Sequence, residues 1–213
     1  MFILASQSPR RKQLLKLIRD DFIIEVADID EAAIHASNSE LAKEISKLKA
    51  YAVFKNNPEA TVLAVDTIVI IDNEILGKPK DRNDAFTMLR KLSGRRHHVI
   101  SGFTLINKNS EINRSVVTEV YFNNLSDEDI NRYIDSGSPF DKAGAYGIQD
   151  EEFNLISHIE GSYYNVMGLP VEALRKHIKN EWLLTRFYYW NHLQLLLNGL
   201  QLKGPFFCSL WLY

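Results

Sequence analysis

Eleven consecutive residues, Thr61-Val62-Leu63-Ala64-Val65-Asp66-Thr67-Ile68-Val69-Ile70-Ile71, constrain the fold of this 213-residue chain more than any other stretch. The run is rich in β-branched side chains and free of Gly and Pro, so it reads as a strand. Its apolar character is nearly continuous rather than alternating, which predicts burial on both faces and therefore an α/β architecture. Only Asp66 and Thr67 interrupt it. A buried carboxylate is costly unless it is paired, metal-bound or protonated. Asp66 is therefore a candidate general base or metal ligand. The competing reading is a structural hydrogen bond to a neighbouring loop.

Around this strand, apolar runs alternate with amphipathic helical patterns. Strands are expected at Phe2–Ser6, Phe22–Ala27, Val99–Ile106 and Val116–Phe122. Helices are expected at Pro9–Arg19, Glu40–Lys55, Arg82–Leu92, Asp127–Asp135 and Val171–Lys179. Asp72-Asn73 is a turn signal that folds Val65–Ile71 back onto Glu74–Leu76. Ser126, followed by Asp127, Glu128 and Asp129, supplies a cap and a dipole-matched first turn. The hairpin and the consecutive strands over 99–122 imply a mixed rather than purely parallel sheet.

Further segments place charge where elements begin or end. In Leu4–Leu15, Ser8 offers an N-cap hydroxyl and Pro9 suits the first helical position. Arg10, Arg11 and Lys12 follow, the wrong sign for the positive end of a helix dipole. A bound phosphate would resolve that conflict; a solvated basic turn is the alternative. Asp28-Ile29-Asp30-Glu31 is either an acidic surface turn or a source of oxygen ligands for a hard divalent cation. In Gly77-Lys78-Pro79-Lys80, Pro79 holds Lys78 extended, as a phosphate-directed ammonium or an exposed turn. Lys49, on the expected helix Glu40–Lys55, is equally open to solvation or function. The loop Phe140–Asp150 combines small residues that allow close backbone approach with Gln149, an amide donor and acceptor. His97 and His98 lack partners at zinc-ligand spacing, and His97 reads as a core or supporting hydrogen-bonding group.

The composition excludes several classes. A net charge of −2 and the absence of interleaved basic and aromatic residues argue against a nucleic-acid-binding module. A single cysteine, Cys208, excludes an intrachain disulfide and suits a reducing compartment; with no secretory signal pattern, a cytoplasmic location is expected. The chain divides at about residue 180. Glu181–Tyr213 holds all three tryptophans and Cys208, and its polar breaks argue against a membrane span. It is either an added helix covering the core or a subunit partner, or an extension without function.

Eight stretches in this order resemble the Maf family of nucleoside triphosphate pyrophosphatases. They are Leu4–Leu15, Asp28–Glu31, Lys49-Ala50, Ala64–Val69, Ile75–Asp81, Leu92–Gly102, Tyr133–Gln149 and Gly161–Leu174. Ser101 stands where the family usually has threonine. The resemblance implies a mixed α/β fold with an elongated sheet flanked by helices, two lobes around a cleft, and a homodimer. It implies hydrolysis of a nucleoside triphosphate to the monophosphate and pyrophosphate, with Mg²⁺ or Mn²⁺ as cofactor. By the same resemblance Asp66 is the proton acceptor, and Glu31 and Asp66 serve the metal. Arg10, Arg11, Lys49 and Lys78 meet the phosphates, Ser8 belongs to the substrate-binding set, Lys49 and Glu31 join Asp66 as catalytic, and Arg11, Thr67 and Gln149 bear on substrate choice. The run Lys142–Gln149 looks like the branch acting on dTTP and UTP. The family's association with septum formation adds an alternative, a regulatory nucleotide-binding protein with little turnover.

Overall fold

The computed structural model describes residues 1–31, 34 and 36–178. Strand β1 (Phe2–Leu4) pairs in parallel with β2 (Ile23–Ile24) on one side and with β3 (Thr61–Ile71) on the other. β3 runs antiparallel to the short β4 (Glu74–Leu76) and to β5 (Arg96–Asn107). β5 continues antiparallel through β6 (Ser110–Phe122) to β7 (Ile156–Glu160), completing a seven-stranded mixed sheet. Helices α1 (Pro9–Leu15), α2 (Asn38–Phe54), α3 (Arg82–Leu92), α4 (Asp127–Asp135) and α5 (Tyr163–Val166) connect and flank these strands. The mixed α/β expectation holds.

β3 lies between two apolar layers, as its sequence requires. Val62 and Ala64 pack with Ala50 and Val53 of α2, and further along Ile68 and Ile70 pack with Leu41 and Ala42. From the opposite face, Val69 and Ile71 join Leu89 and Leu92 of α3 and Ile130 and Tyr133 of α4. The β3–β4 turn places Asp72 and Asn73 at φ 51° and 63°, the left-handed pair demanded by a tight two-residue hairpin. α3 starts on Asp81, whose carboxylate accepts from the Asp84 N–H; α4 starts on a reciprocal box between Ser126 and Asp129.

Departures from expectation have local causes. The helix expected over Pro9–Arg19 ends at Leu15, where Leu17 and Ile18 N–H groups turn back to the Leu14 and Leu15 carbonyls. The strand expected over Phe22–Ala27 shrinks to Ile23–Ile24, because β1 offers an edge of only three residues to pair against. β5 and β6 are longer than expected because each pairs with the other along its whole length. β7 was not anticipated. Residues 171–178 are helical, in line with the expected Val171–Lys179.

Met1–Ala173 folds as one compact unit and contains the entire sheet. The expected boundary near 180 and the segment 181–213 lie outside the described residues. Among the described residues no helix is long and apolar enough to cross a membrane.

Candidate active site

The edge of β3 is interrupted. β1 covers it along Thr61–Leu63 and β4 covers Val69–Ile71, leaving the stretch between them with no strand on that side. A cavity of about 800 Å³ opens at this gap, and Asp66, Thr67, Ile68 and Val69 form part of its wall. β1 runs parallel to β3, so the chain leaving its C-terminal end delivers the start of α1 to the same place. That follows the rule that ligand sites in α/β sheets lie beyond the carboxyl ends of strands. Ser8, Arg10, Arg11, Glu31, Lys49, Asp66, Thr67, Lys78 and Gln149 all line this one cavity.

Asp66 and Thr67 are consecutive, so they leave opposite faces of β3. On the α2 face, Lys49 Nζ donates to Asp66 Oδ1 at 2.8 Å and lies 2.7 Å from Glu31 Oε1. This reach depends on Gly102, which pairs with Asp66 across β3 and β5. A Cβ at Gly102 would lie 2.3 Å from the backbone of Ala42 and Lys43, so only glycine lets α2 come this close. The Asp66 and Lys49 side chains keep 13% and 16% of their exposure, enough to meet cavity solvent without facing bulk water.

On the other face, the Thr67 hydroxyl lies 2.9 Å from that of Ser101, which donates to the Asn165 carbonyl at 3.2 Å. The Asn165 amide in turn donates to Val99 O, Val116 O and Thr118 Oγ1. Arg11 reaches this group from α1. Its Nε donates to Gly168 O at 2.9 Å, Nη1 to Ser6 Oγ at 3.2 Å and Nη2 to Thr67 Oγ1 at 3.2 Å. Burial pulls the Arg11 guanidinium below its ordinary range, while the nearby Asp66 and Glu31 carboxylates hold it up. It remains charged, and its hydrogen-bond partners are all neutral oxygens. A positive charge held this way suits an anionic ligand entering the cavity.

The remaining cations differ in how they are held. Arg10 donates from Nη1 to Asp141 Oδ2 at 2.6 Å and from Nη2 to the Asp141 carbonyl at 3.3 Å. Lys78 is exposed and has no hydrogen-bond or ion-pair partner among the described residues. Ser8 caps α1 by accepting from the Arg11 N–H. The Gln149 amide likewise has no partner among the described residues. His97 is a core group, as expected. Its Nε2 meets the Tyr146 hydroxyl at 2.7 Å, and burial, with His98 nearby, pushes it down to about 3.

Residue-level reading missed Lys142 and Tyr146, which also line the cavity. Lys142 is nearly as buried as the core, with 8% exposure. A lone lysine amid Ala143, Gly144 and Ala145 was the available signal, since only a paired ammonium is tolerated among small packed residues. Among the described residues no group of three or more His, Cys, Asp or Glu side chains is arranged to hold a metal ion.

Fold and cavity together define a mixed α/β protein with converging cations opposite a carboxylate pair in a sheet-edge opening, a geometry suited to a polyanionic ligand. The chain belongs to the family described as Maf-like protein, whose model matches residues 1–181. It is 46% identical over 188 residues to the dTTP/UTP pyrophosphatase of Symbiobacterium thermophilum, covering 88% of this chain and 94% of that one. It is 49% identical over 172 residues to the protein of the same name from Thermosipho africanus, covering 81% and 88%. Among solved structures it is similar to the Ham1 protein of Staphylococcus aureus. The TM-score is 0.51 at 15% identity, over 84% of this chain and 98% of that one, a likeness of fold.

Proposed function

We propose that this protein is a nucleoside triphosphate pyrophosphatase that hydrolyses dTTP and UTP to the monophosphate and pyrophosphate. The relatives' shared name supports the substrates. One observation carries the reading on chemical grounds: a lysine clamped between two carboxylates faces three arginine and lysine side chains across a single cavity.

In this reading a triphosphate enters the gap beside β3. Arg11, Arg10 and Lys78 take its phosphates, Arg11 satisfying the charge that its neutral partners leave open. Water attacks the α-phosphorus, a new P–O bond forms there, and the bond from the α-phosphorus to the bridging oxygen breaks, that oxygen leaving with the β-phosphorus as pyrophosphate. Asp66 takes the water's proton. Its Oδ1 is held by Lys49 and its Oδ2 has no hydrogen-bond partner among the described residues, leaving an oriented, available base. The cations stabilise charge growing on the departing pyrophosphate.

The donor set fits a divalent ion. Glu31 and Asp66 already converge on one cationic centre, Lys49 Nζ, and two carboxylates completed by phosphate oxygens and water suit Mg²⁺ or Mn²⁺. Such an ion, bound by Glu31 and Asp66, would neutralise phosphate charge and polarise the phosphoryl oxygens. The reading also includes a cytoplasmic homodimer, on the family resemblance and the single cysteine.

Pyrophosphate release from dTTP, UTP and the remaining nucleoside triphosphates, with Mg²⁺ or Mn²⁺ added, tests the assignment. Turnover led by dTTP and UTP is expected. Tight nucleotide binding without release would instead leave a regulatory nucleotide-binding protein.

A further inference from the structure

A hydrogen-bonded chain runs along one wall of the cavity, and Lys142 is its middle link. Its ammonium donates to Ser138 O at 2.6 Å, Ser138 Oγ at 3.0 Å and Asp141 Oδ1 at 2.7 Å. Those contacts use all three of its hydrogens, so Lys142 is not itself available to a phosphate.

On one side the chain reaches a phosphate-facing cation. Asp141 presents Oδ1 to Lys142 and Oδ2, with its carbonyl, to Arg10. Burial works against the Asp141 carboxylate, but the Lys142 and Arg10 hydrogen bonds outweigh it and hold the group below its ordinary range. Two of Arg10's five donors are thereby fixed, which sets the direction of the other three.

On the other side the chain ends at Gly147, two residues before Gln149. Ser138 Oγ accepts from Lys142 and passes its own hydrogen to Asp150 Oδ2 at 2.6 Å. The Tyr133 hydroxyl donates to the same oxygen at 2.6 Å and accepts from the Gly147 N–H at 2.9 Å. Tyr133 is fully buried and its phenol is raised above its ordinary range, so it keeps the proton that this geometry needs. Gly147 is the closing point. A Cβ built there would meet Gln149 Nε2 at 2.5 Å, and Asp150 Oδ2 and Lys142 Cε at 2.8 Å each. The Gln149 amide, Asp150 and Lys142 thus converge on the space over one glycine, which places the Gln149 amide beside this end of the chain.

We propose that Lys142 is a positioning residue coupling the two ends of the cavity: through Asp141 it aims Arg10 at phosphate, and through Ser138, Asp150 and Tyr133 it seats Gln149 against the nucleotide's base. This rests on the triphosphate reading above and assigns the means by which one site both grips and chooses.

Lys142→Met in the full chain removes the ammonium and keeps most of the stem. The readout is the ratio of kcat/KM for dTTP to that for CTP and GTP, alongside kcat and KM for each. A merely destabilising change lowers active protein and kcat for every substrate equally, leaving KM and the ratio unmoved. Lys142→Met is expected to lower kcat/KM for dTTP by up to about 10²-fold, the scale of a small misplacement of reacting groups. Discrimination should fall at least about tenfold as the base-facing amide loses its seat. Asp141→Asn removes the charge and the Oδ2 acceptor that hold Arg10, keeps an Oδ1 for Lys142, and is expected to raise KM for all triphosphates with the ratio kept. Gly147→Ala keeps the Lys142 ammonium but pushes on Gln149, Asp150 and the Lys142 stem together, and is expected to lower the ratio; it carries the test should Lys142→Met not fold. An unchanged ratio in a folded Lys142→Met protein, or in Gly147→Ala if that variant stands alone, overturns the proposal. Wild-type failure to release pyrophosphate from dTTP would instead overturn the reading beneath it.

Discussion

The two faces of β3 at its midpoint solve the same problem in opposite ways. Toward α2, Asp66, Lys49 and Glu31 are charged and keep a sliver of exposure at the cavity. On the reverse face, Ser101, Thr118 and Asn165 are neutral and fully buried. Charge is carried only where the gap in the sheet edge readmits solvent or ligand, and where the sheet is covered the polar groups are hydroxyls and an amide. In the proposed reading the difference separates chemistry from architecture: the α2 face reacts, and the other holds Arg11 and the 163–168 segment still.

Several substitutions would break or sharpen that contrast. Asp66→Asn is expected to have the largest effect, a loss of at least ~10² in kcat with the fold intact, the low end for a positioned acid or base. Near-native turnover would move the reacting group elsewhere. Asn165→Ala on the opposite face strips buried hydrogen bonds from Val99, Val116 and Thr118, and is expected to cost about 1–3 kcal/mol of stability. Thermal melting, with kcat measured below the transition, checks whether this face acts through folding.

His97, also behind the uncharged face, predicts a pH dependence of stability. Its folded value near 3 lies below its ordinary 6.5, so the unfolded chain binds the extra proton between those limits. Stability is therefore complete above about pH 6.5 and falls as acid is added, by up to ~1.4 kcal/mol per pH unit. Urea titrations of wild type and His97→Gln at several pH values measure it, and equal slopes would exclude His97 as the source. Thr67→Val is the mildest change. It removes one acceptor of the Arg11 fork, and a KM rise of roughly tenfold is expected, the low end for one hydrogen bond to a charged group.

The elements legible in the sequence were those whose signals are local. β3, its hairpin and α3 match expectation because an apolar run, a positive-φ turn pair and an Asp cap each act within a few residues. β7 was hidden because Ile156-Ser157-His158-Ile159-Glu160 has only two apolar side chains; it forms by adding to an edge that β6 already presents. The candidate site was legible as a set of residue types, and all nine residues meet in one cavity. Their partners were not. That Arg10 answers to Asp141 across 131 positions, or that Lys142 spends every donor inside the wall, depends on loops brought together only by the finished sheet.

The adjacency of Asp66 and Thr67 makes the protein unusually sensitive to insertion or deletion. Because the run around them is greasy on both sides, a one-residue slip of β3 would bury nearly as much hydrocarbon as the native alignment. Depending on its direction, it would nonetheless set either Thr67 against Lys49 and Ile68 against Ser101, or Val65 against Lys49 and Asp66 against Ser101. The dyad is thus a molecular watermark: two letters that tell one alignment from its mirror where oil and water alone could not.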